Sequence, residues 1–157
     1  MSRTTPATLA LDRAGVAYAL ATYAYDPNAD RIGMQAAQAL SAPPSEVLKT
    51  LIVRADGKPA CVVLASDREV SMKKLAAALG AKACEMAPPA DAERITGYRV
   101  GGVSPFGQKK RLPTVIDAEA AALAHAYING GQRGLQVRLA PADVVWFLDA
   151  IVAGIAA

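Results

Sequence analysis

The sequence feature that most constrains the fold is an Asp56-Gly57 pair placed between two apolar segments. Asp-Gly favours a two-residue hairpin turn, because glycine readily adopts the positive φ that such a turn requires. The flanking segments, residues 51–53 and 60–65, are apolar throughout instead of alternating with polar residues. Such arms are typical of strands that are covered on both faces. The sequence therefore predicts a buried β-hairpin.

Helices and further strands surround this hairpin in irregular order. Proline at helix starts and glycine just past helix ends are the main signals. The predicted helices occupy residues 6–14, 34–40, 72–79, 89–96, 118–124 and 141–151, and the predicted strands occupy 16–23, 115–116, 126–128 and 135–139. Strands in neighbouring pairs, without strict βαβ alternation, favour an α+β fold with a curled mixed or antiparallel sheet and packed helices. We expect one domain over residues 1–157.

Composition excludes several classes of protein. Of the 157 residues 53% are hydrophobic and only 5% are aromatic, which is incompatible with a disordered chain. The sequence contains no uncharged apolar run of 18 residues and no apolar core of a secretory signal near Met1, so we expect a cytoplasmic protein without a membrane partner. A net charge of +3 is compatible with a polyanionic partner but does not identify one.

The sequence contains few cysteine and histidine residues that could bind a metal or take part in nucleophilic catalysis. Cys61 and Cys84 are 23 positions apart in apolar surroundings, so we interpret both as reduced core residues. His125 is the single histidine, which leaves neither a zinc ligand set nor a Ser-His-Asp relay. We therefore expect no metal and no cofactor.

Residues 97–114 have a different texture, with four glycines, two prolines and the cationic run Lys109-Lys110-Arg111. The segment lacks both GxGxxG and the ending of a phosphate-binding P-loop. Glycine-rich backbone can direct several amides at one ligand atom, as in an oxyanion hole. A tight turn between buried elements explains the glycines equally, and a solvated basic turn explains the three cations.

Lys49 is the other residue that stands out, because it lies at the start of the apolar hairpin arm. Its ammonium can extend to solvent while the aliphatic stem packs on apolar surface. Alternatively it points into a cleft and holds a phosphate or ester oxygen. Both readings are open from the residues alone.

Several longer strings resemble the YbaK/EbsC family of trans-editing aminoacyl-tRNA deacylases, which is related to the editing insertion of bacterial prolyl-tRNA synthetase. These strings run in order along almost the whole chain, and the one after the glycine-rich loop is highly specific. They include Val47-Leu48-Lys49-Thr50-Leu51, Val100-Gly101-Gly102-Val103-Ser104-Pro105, Gly107-Gln108-Lys109-Lys110-Arg111-Leu112-Pro113-Thr114 and Gly130-Gly131-Gln132-Arg133-Gly134-Leu135.

The resemblance implies an enzyme that removes cysteine from mischarged Cys-tRNA(Pro), that also acts on Cys-tRNA(Cys), and that works beside prolyl-tRNA synthetase. It also implies that the substrate's own thiol attacks its ester carbonyl and releases a cyclic thiolactone. A protein that catalyses this step supplies geometry and electrostatics and needs no nucleophile of its own.

Particular site residues follow from the same resemblance. The Gly101 amide, foremost among those of residues 101–105, would hold the ester carbonyl. Lys49 would contact phosphate or sugar oxygens of the terminal adenosine and assist the leaving hydroxyl, and Tyr23 would line the site. The residues implied to contact substrate are Ile32, Thr50, Gly102, Ser104, Pro105, Asn129 and Gln136, and those implied to meet the tRNA acceptor end are Lys109, Lys110 and Arg111.

Three positions depart from the family pattern. Ile32 replaces an aromatic residue, Asn129 replaces a serine, and Gln136 replaces an acidic residue. Small changes in a pocket separate amino acids by only about 1–3 kcal/mol. Two alternatives therefore stay open: a related editing deacylase for Ala-, Ser- or Thr-tRNA, and a non-catalytic module that binds the tRNA acceptor end or the synthetase.

Overall fold

The structure, a computed structural model, describes residues 4–29 and 32–157, with the side chains of residues 32 and 33 excepted. Its helices are α1 (Pro6–Ala14), α2 (Ile32–Ala39), α3 (Met72–Leu79), α4 (Pro89–Thr96), α5 (Ala118–Ala121) and α6 (Pro141–Leu148). Its strands are β1 (Ala19–Thr22), β2 (Leu48–Ala55), β3 (Lys58–Ala65), β4 (Cys84–Met86), β5 (Thr114–Asp117), β6 (Ala126–Asn129), β7 (Leu135–Leu139) and β8 (Ile151–Ala153).

Five strands form a mixed sheet in the order β4-β2-β3-β5-β8. β2 and β3 pair antiparallel and turn at Asp56-Gly57, both with positive φ, so the predicted hairpin is confirmed. β5 adds parallel to β3, and β8 adds parallel to β5. The short strand β4 covers only the end of β2, from Val53 to Ala55.

The other three strands form an antiparallel sheet in the order β1-β7-β6. β6 and β7 are the predicted second hairpin. A single parallel bridge between Val47 and Tyr127 joins this sheet to the start of β2. The two sheets therefore meet where β2 begins, and Lys49 lies at that junction.

Alternate residues of the β2–β3 hairpin enter two separate cores. Leu48, Ile52 and Val63 belong to the larger core, which also contains residues from α1, β6 and β7. Val53 and Leu64 belong to a smaller core on the opposite face, which is closed by Leu75 of α3 among others. Both faces of the hairpin are buried there, and this is why residues 51–53 and 60–65 are apolar at every position.

The C-terminal helix is shorter than predicted. Its pattern suggested a helix up to Ile151, but α6 ends at Leu148 because Asp149 takes a left-handed conformation at the cap, with a φ of +50°. Ile151 instead starts β8, the edge strand beside β5. The prediction was wrong because an apolar residue at helical spacing also fits an edge strand.

Two other elements are shorter than their predictions, and one was not predicted. β1 covers Ala19–Thr22 of the predicted 16–23, and α5 covers Ala118–Ala121 of the predicted 118–124. β4 has only three residues, too few for a strand pattern. It leaves Cys84 half-buried at a sheet edge, whereas Cys61 is fully buried as predicted; both thiols are free.

Residues 97–113 form neither helix nor strand, as the sequence predicted. They connect α4 to β5 and bury Phe106 in the larger core. The longest helix of the described residues has nine residues, far short of a membrane span.

Candidate functional site

A cleft of about 300 Å³ opens at the junction of the two sheets. Its walls come from the first half of β2, the start of α4, the loop 100–103 and the facing side of the three-stranded sheet. This volume is at the lower end of the range for small-molecule sites. The walls are mainly aliphatic, and Lys49 is the one charged side chain among the described residues that line the cleft.

The edge of β2 is open where it borders the cleft. The Ser66 N–H donates to the Val47 carbonyl oxygen at 2.9 Å, so Val47 and every second residue after it direct backbone groups toward β3. Leu48, Thr50 and Ile52 therefore direct their backbone N–H and C=O groups away from β3. The Ile52 carbonyl accepts from Ala87 at 3.0 Å, but β4 begins pairing only at Val53. The backbone of Thr50 therefore faces the cleft.

Lys49 lies on this open segment, and its side chain is 19% exposed. Its Nζ is 3.8 Å from Oε1 of Glu69, whose side chain is 87% exposed. An ion pair of this length with so exposed a partner contributes little. The ammonium is therefore available to a ligand, and Lys49 is among the residues that line the cleft.

Three polar side chains cross the opposite wall in one row. Asn129 of β6 is directly opposite Gln136 of β7, and the Tyr23 N–H donates to the Gly134 carbonyl two residues before Gln136. Residues opposite each other in an antiparallel pair share a face. Tyr23, Gln136 and Asn129 all line the cleft. Burial raises the pKa of Tyr23, and hydrogen bonding from Gln136 partly opposes this, so the phenol is neutral near pH 7.

Two buried polar atoms of the cleft residues lack hydrogen-bond partners among the described residues. They are Oγ1 of Thr50 and Oε1 of Gln136, and Gln136 is only 4% exposed. Leaving such atoms unpaired costs about 1–3 kcal/mol each. A ligand that donates hydrogen bonds to these two atoms would recover this energy.

Hydrogen bonds to three side chains hold the loop that carries Gly101. The Val100 N–H donates to Oε2 of Glu93 at 2.9 Å, and the Val100 carbonyl accepts from Nε of Arg133 at 2.8 Å. Nδ2 of Asn129 donates to the Gly101 carbonyl at 3.1 Å. The Gly101 N–H itself has no hydrogen-bond partner among the described residues. It is the free donor of the loop.

Glycine is required at position 101 for two reasons. Its φ is +89°, a conformation that side chains rarely adopt, and an added Cβ would lie 2.4 Å from the Tyr25 hydroxyl. The loop therefore keeps its shape only with glycine here.

The remaining loop residues of the sequence prediction do not line the cleft. The Gly102 N–H donates to the Arg99 carbonyl at 2.7 Å, so it is not available to a ligand. Ser104 is fully buried, and its Oγ accepts from the Phe106 N–H at 3.2 Å. Pro105 borders a separate cavity of about 170 Å³. The sequence predicted that several amides of residues 101–105 are directed at one ligand atom. The Gly102 amide is already paired, whereas the Gly101 amide has no partner among the described residues.

The basic run lies outside the cleft. Lys109, Lys110 and Arg111 are all exposed, and none joins an ion pair within the described ranges. The Lys109 stem packs against Gly97, where an added Cβ would be 3.1 Å from it, and Arg111 borders the second cavity. Their proposed contact with tRNA stays a prediction. The Ile32 side chain, also predicted to contact substrate, lies outside the described part of the structure.

Sequence reasoning missed the residues that support the loop. Glu93 and Tyr25 carried no recognisable signal, since one lies on an ordinary amphipathic helix and the other beside a turn. Arg133 stood in a string that resembles the family but was given no role. It also missed the apolar wall formed by Met86, Ala87 and the start of α4. Over residues 4–29 and 32–157 no three His, Cys, Asp or Glu side chains come together as a metal site.

Comparisons with known proteins agree on one family. The sequence profile of the aminoacyl-tRNA editing domain matches residues 26–147. EbsC of Enterococcus faecalis, for which Cys-tRNA(Pro)/Cys-tRNA(Cys) deacylase activity has been proposed, is 36% identical over 110 residues, or 69% of this chain and 67% of EbsC. Proline–tRNA ligase of Geobacter metallireducens is 32% identical over 99 residues, which cover 63% of this chain but only 17% of the ligase.

Solved structures show the same fold. The crystal structure of a proposed trans-editing enzyme for prolyl-tRNA synthetase superposes with a TM-score of 0.84 at 22% identity and covers 99% of both chains. The crystal structure of a hypothetical protein superposes with a TM-score of 0.86 at 24% identity, covering 98% of this chain and all of the other. At these identities the likeness establishes the architecture alone.

Proposed function

This chain belongs to the family of aminoacyl-tRNA editing domains, and we propose that it is a deacylase that frees mischarged Cys-tRNA(Pro) in trans. Cys-tRNA(Cys) is a second substrate, and prolyl-tRNA synthetase is the enzyme whose errors it corrects. The observation that carries the proposal is one small cleft lined by both Lys49 and Gly101, whose N–H has no hydrogen-bond partner among the described residues.

The walls of the cleft favour a small uncharged amino acid. Among the described lining residues there is no carboxylate, so a basic side chain finds no counter-ion. Val47, Ile52 and Ala87 add aliphatic surface that suits a methylene or a thiol. Cysteine fits this environment, whereas arginine or lysine would be desolvated without compensation.

The cleft supports ester cleavage without a protein nucleophile. Within the described residues neither histidine nor cysteine lines it, and the Ser66 hydroxyl donates to the Val47 carbonyl. The substrate thiol supplies the attacking group. It loses its proton, its sulfur bonds to the carbonyl carbon, the ester C–O bond breaks, and the 3′-oxygen of the terminal adenosine takes up a proton. The products are a cyclic thiolactone and free tRNA.

In this scheme the protein stabilises the developing negative charge and positions the aminoacyl group. The Gly101 N–H donates to the carbonyl oxygen as it becomes negative, and one such donor accounts for about 10²–10³ in rate. Lys49 places a positive charge near the departing 3′-oxygen. Tyr23, Gln136 and Thr50 hold the aminoacyl group between the two sheets, which brings the thiol close to the carbonyl.

A panel of charged tRNAs tests the proposal. Cys-tRNA(Pro), Cys-tRNA(Cys), Ala-tRNA(Pro) and Pro-tRNA(Pro) are incubated with the wild-type protein, with Lys49→Ala, and with Lys58→Ala as a control from the exposed hairpin turn. We expect rapid loss of cysteine only, a large decrease for Lys49→Ala, and no change for Lys58→Ala. Failure of the wild-type protein to release cysteine faster than the spontaneous rate would refute the proposal.

A second measurement tests the step itself. S-methylcysteinyl-tRNA(Pro) has no free thiol, so we expect it to resist the protein. Turnover equal to that of the free thiol would show that water attacks the ester instead.

A further inference from the structure

Two contacts hold the guanidinium of Arg133, which lies in the turn between β6 and β7. Its Nε donates to the Val100 carbonyl at 2.8 Å, and its Cζ lies 5.0 Å from the centre of the Tyr25 ring. The hydrogen bond fixes one edge of the guanidinium plane and the ring covers one face.

The Arg133 guanidinium joins no ion pair within residues 4–29 and 32–157, although the Glu93 carboxylate binds the N–H of the same Val100. Its Nη atoms, which carry four N–H donors, form no hydrogen bond with those residues. Arg99, two residues before Gly101, is likewise exposed and unpaired in the described chain. A planar guanidinium held in place with its outer edge free is suited to bidentate binding of a phosphate.

The position of Arg133 ties it to the cleft. An added Cβ at Gly102 would lie 2.8 Å from the Arg133 backbone nitrogen, so the turn packs directly on the loop. Tyr25, which covers the guanidinium, packs its hydroxyl against Gly101 on its other side. The guanidinium therefore lies at the rim of the wall that carries the free Gly101 N–H.

We propose that Arg133 binds a phosphate of the single-stranded CCA end of the substrate tRNA, and that Val100 and Tyr25 hold its guanidinium for that purpose. This rests on the proposed function, since the ester at Gly101 is joined to the terminal nucleotide, whose backbone phosphate must lie just outside the cleft. The role differs from that proposed for Lys49, which is among the residues that line the cleft.

Binding of an uncharged 5′-phosphorylated CCA trinucleotide tests the assignment, because it requires no cleavage. Affinity is measured over a range of salt concentrations for the wild-type protein, Arg133→Gln, Arg133→Lys, and Arg13→Gln as an exposed control on α1. We expect Arg133→Gln to bind about tenfold more weakly and its slope of log K against log salt to be smaller by about 0.7. Arg133→Lys should retain the slope but bind about threefold more weakly, because lysine cannot form the bidentate contact.

Two results would overturn the assignment: Arg133→Gln binding within twofold of the wild-type protein, or an equal loss in Arg13→Gln. Thermal unfolding of each variant is measured in parallel, and Arg133→Lys retains the test if Arg133→Gln does not fold. A wild-type protein that binds the trinucleotide through Arg133 but releases no cysteine would refute the deacylase and leave the phosphate site intact.

Discussion

Replacing Gly101 with alanine introduces both backbone strain and a steric clash with Tyr25. At a φ of +89° alanine costs about 1 kcal/mol more than glycine. The new Cβ would also lie 2.4 Å from the Tyr25 hydroxyl, so Tyr25 must move and its contact with Arg133, worth about 0.5–1 kcal/mol, is disturbed. We therefore expect Gly101→Ala to lower the free energy of unfolding by about 2 kcal/mol.

Gly80→Ala is the matched control. Gly80 ends α3 with a φ of +68°, and an added Cβ there meets nothing within 4 Å. It should cost about 1 kcal/mol from strain alone. For a chain of this size the two variants correspond to decreases in Tm of about 4–8 °C and about 2–4 °C. Calorimetry measures both, and activity should fall about 10²-fold in Gly101→Ala only, because the loop amide is displaced.

The reasoning fails if Gly101→Ala and Gly80→Ala lower Tm equally, since Tyr25 then does not crowd position 101. It fails differently if Gly101→Ala is the less stable variant but deacylates cysteinyl-tRNA at the wild-type rate. In that case the amide of residue 101 takes no part in the reaction.

Three further predictions concern the cleft and the core. Lys49→Ala should lower kcat/KM for cysteinyl-tRNA about 10²-fold or more in steady-state assays, whereas Glu69→Gln should leave it unchanged because their ion pair is long and exposed. Gln136→Leu should lower kcat/KM about tenfold through loss of one buried acceptor, measured with the same substrate; an unchanged value would contradict that role. Burial raises the pKa of Cys61 from 9.0 to about 12, so the neutral thiol stabilises the fold fully below pH 9. Between pH 9 and 12 the free energy of unfolding should fall by about 1.4 kcal/mol per pH unit from this thiol, and urea titrations of Cys61→Ala should lack that part of the slope.

The hairpin and the first four helices could be predicted from sequence because their signals are local. Asp56-Gly57 determines the turn, and Gly80 and Gly97 end α3 and α4 in the left-handed conformation. β8 could not be predicted, because its position depends on pairing with β5, more than 30 residues earlier in the chain. A pattern of apolar residues does not distinguish a helix end from an edge strand when the partner is remote.

The candidate site, too, could be predicted from sequence only in part. Lys49 and Gly101 could be proposed from sequence, one as a cation beside an apolar arm and one within a glycine-rich loop. That they share a cleft depends on the meeting of the two sheets at Val47 and Tyr127. The role of Glu93 and Arg133 in holding the loop could not be predicted from sequence, because each acts through a single hydrogen bond to the backbone.

The electrostatics of the cleft explain why neutral amides suit its polar wall. In the proposed reaction, negative charge develops on the carbonyl oxygen beside the Gly101 N–H and on the departing 3′-oxygen beside the Lys49 ammonium. The family pattern has an acidic residue at position 136, whereas Gln136 adds no charge beside the ammonium here. Gln136 and Asn129 accept or donate hydrogen bonds without adding charge, and Glu69 keeps its carboxylate in solvent. Under the proposed function, the charge of Lys49 therefore acts on the ester without a counter-charge from the other described residues that line the cleft.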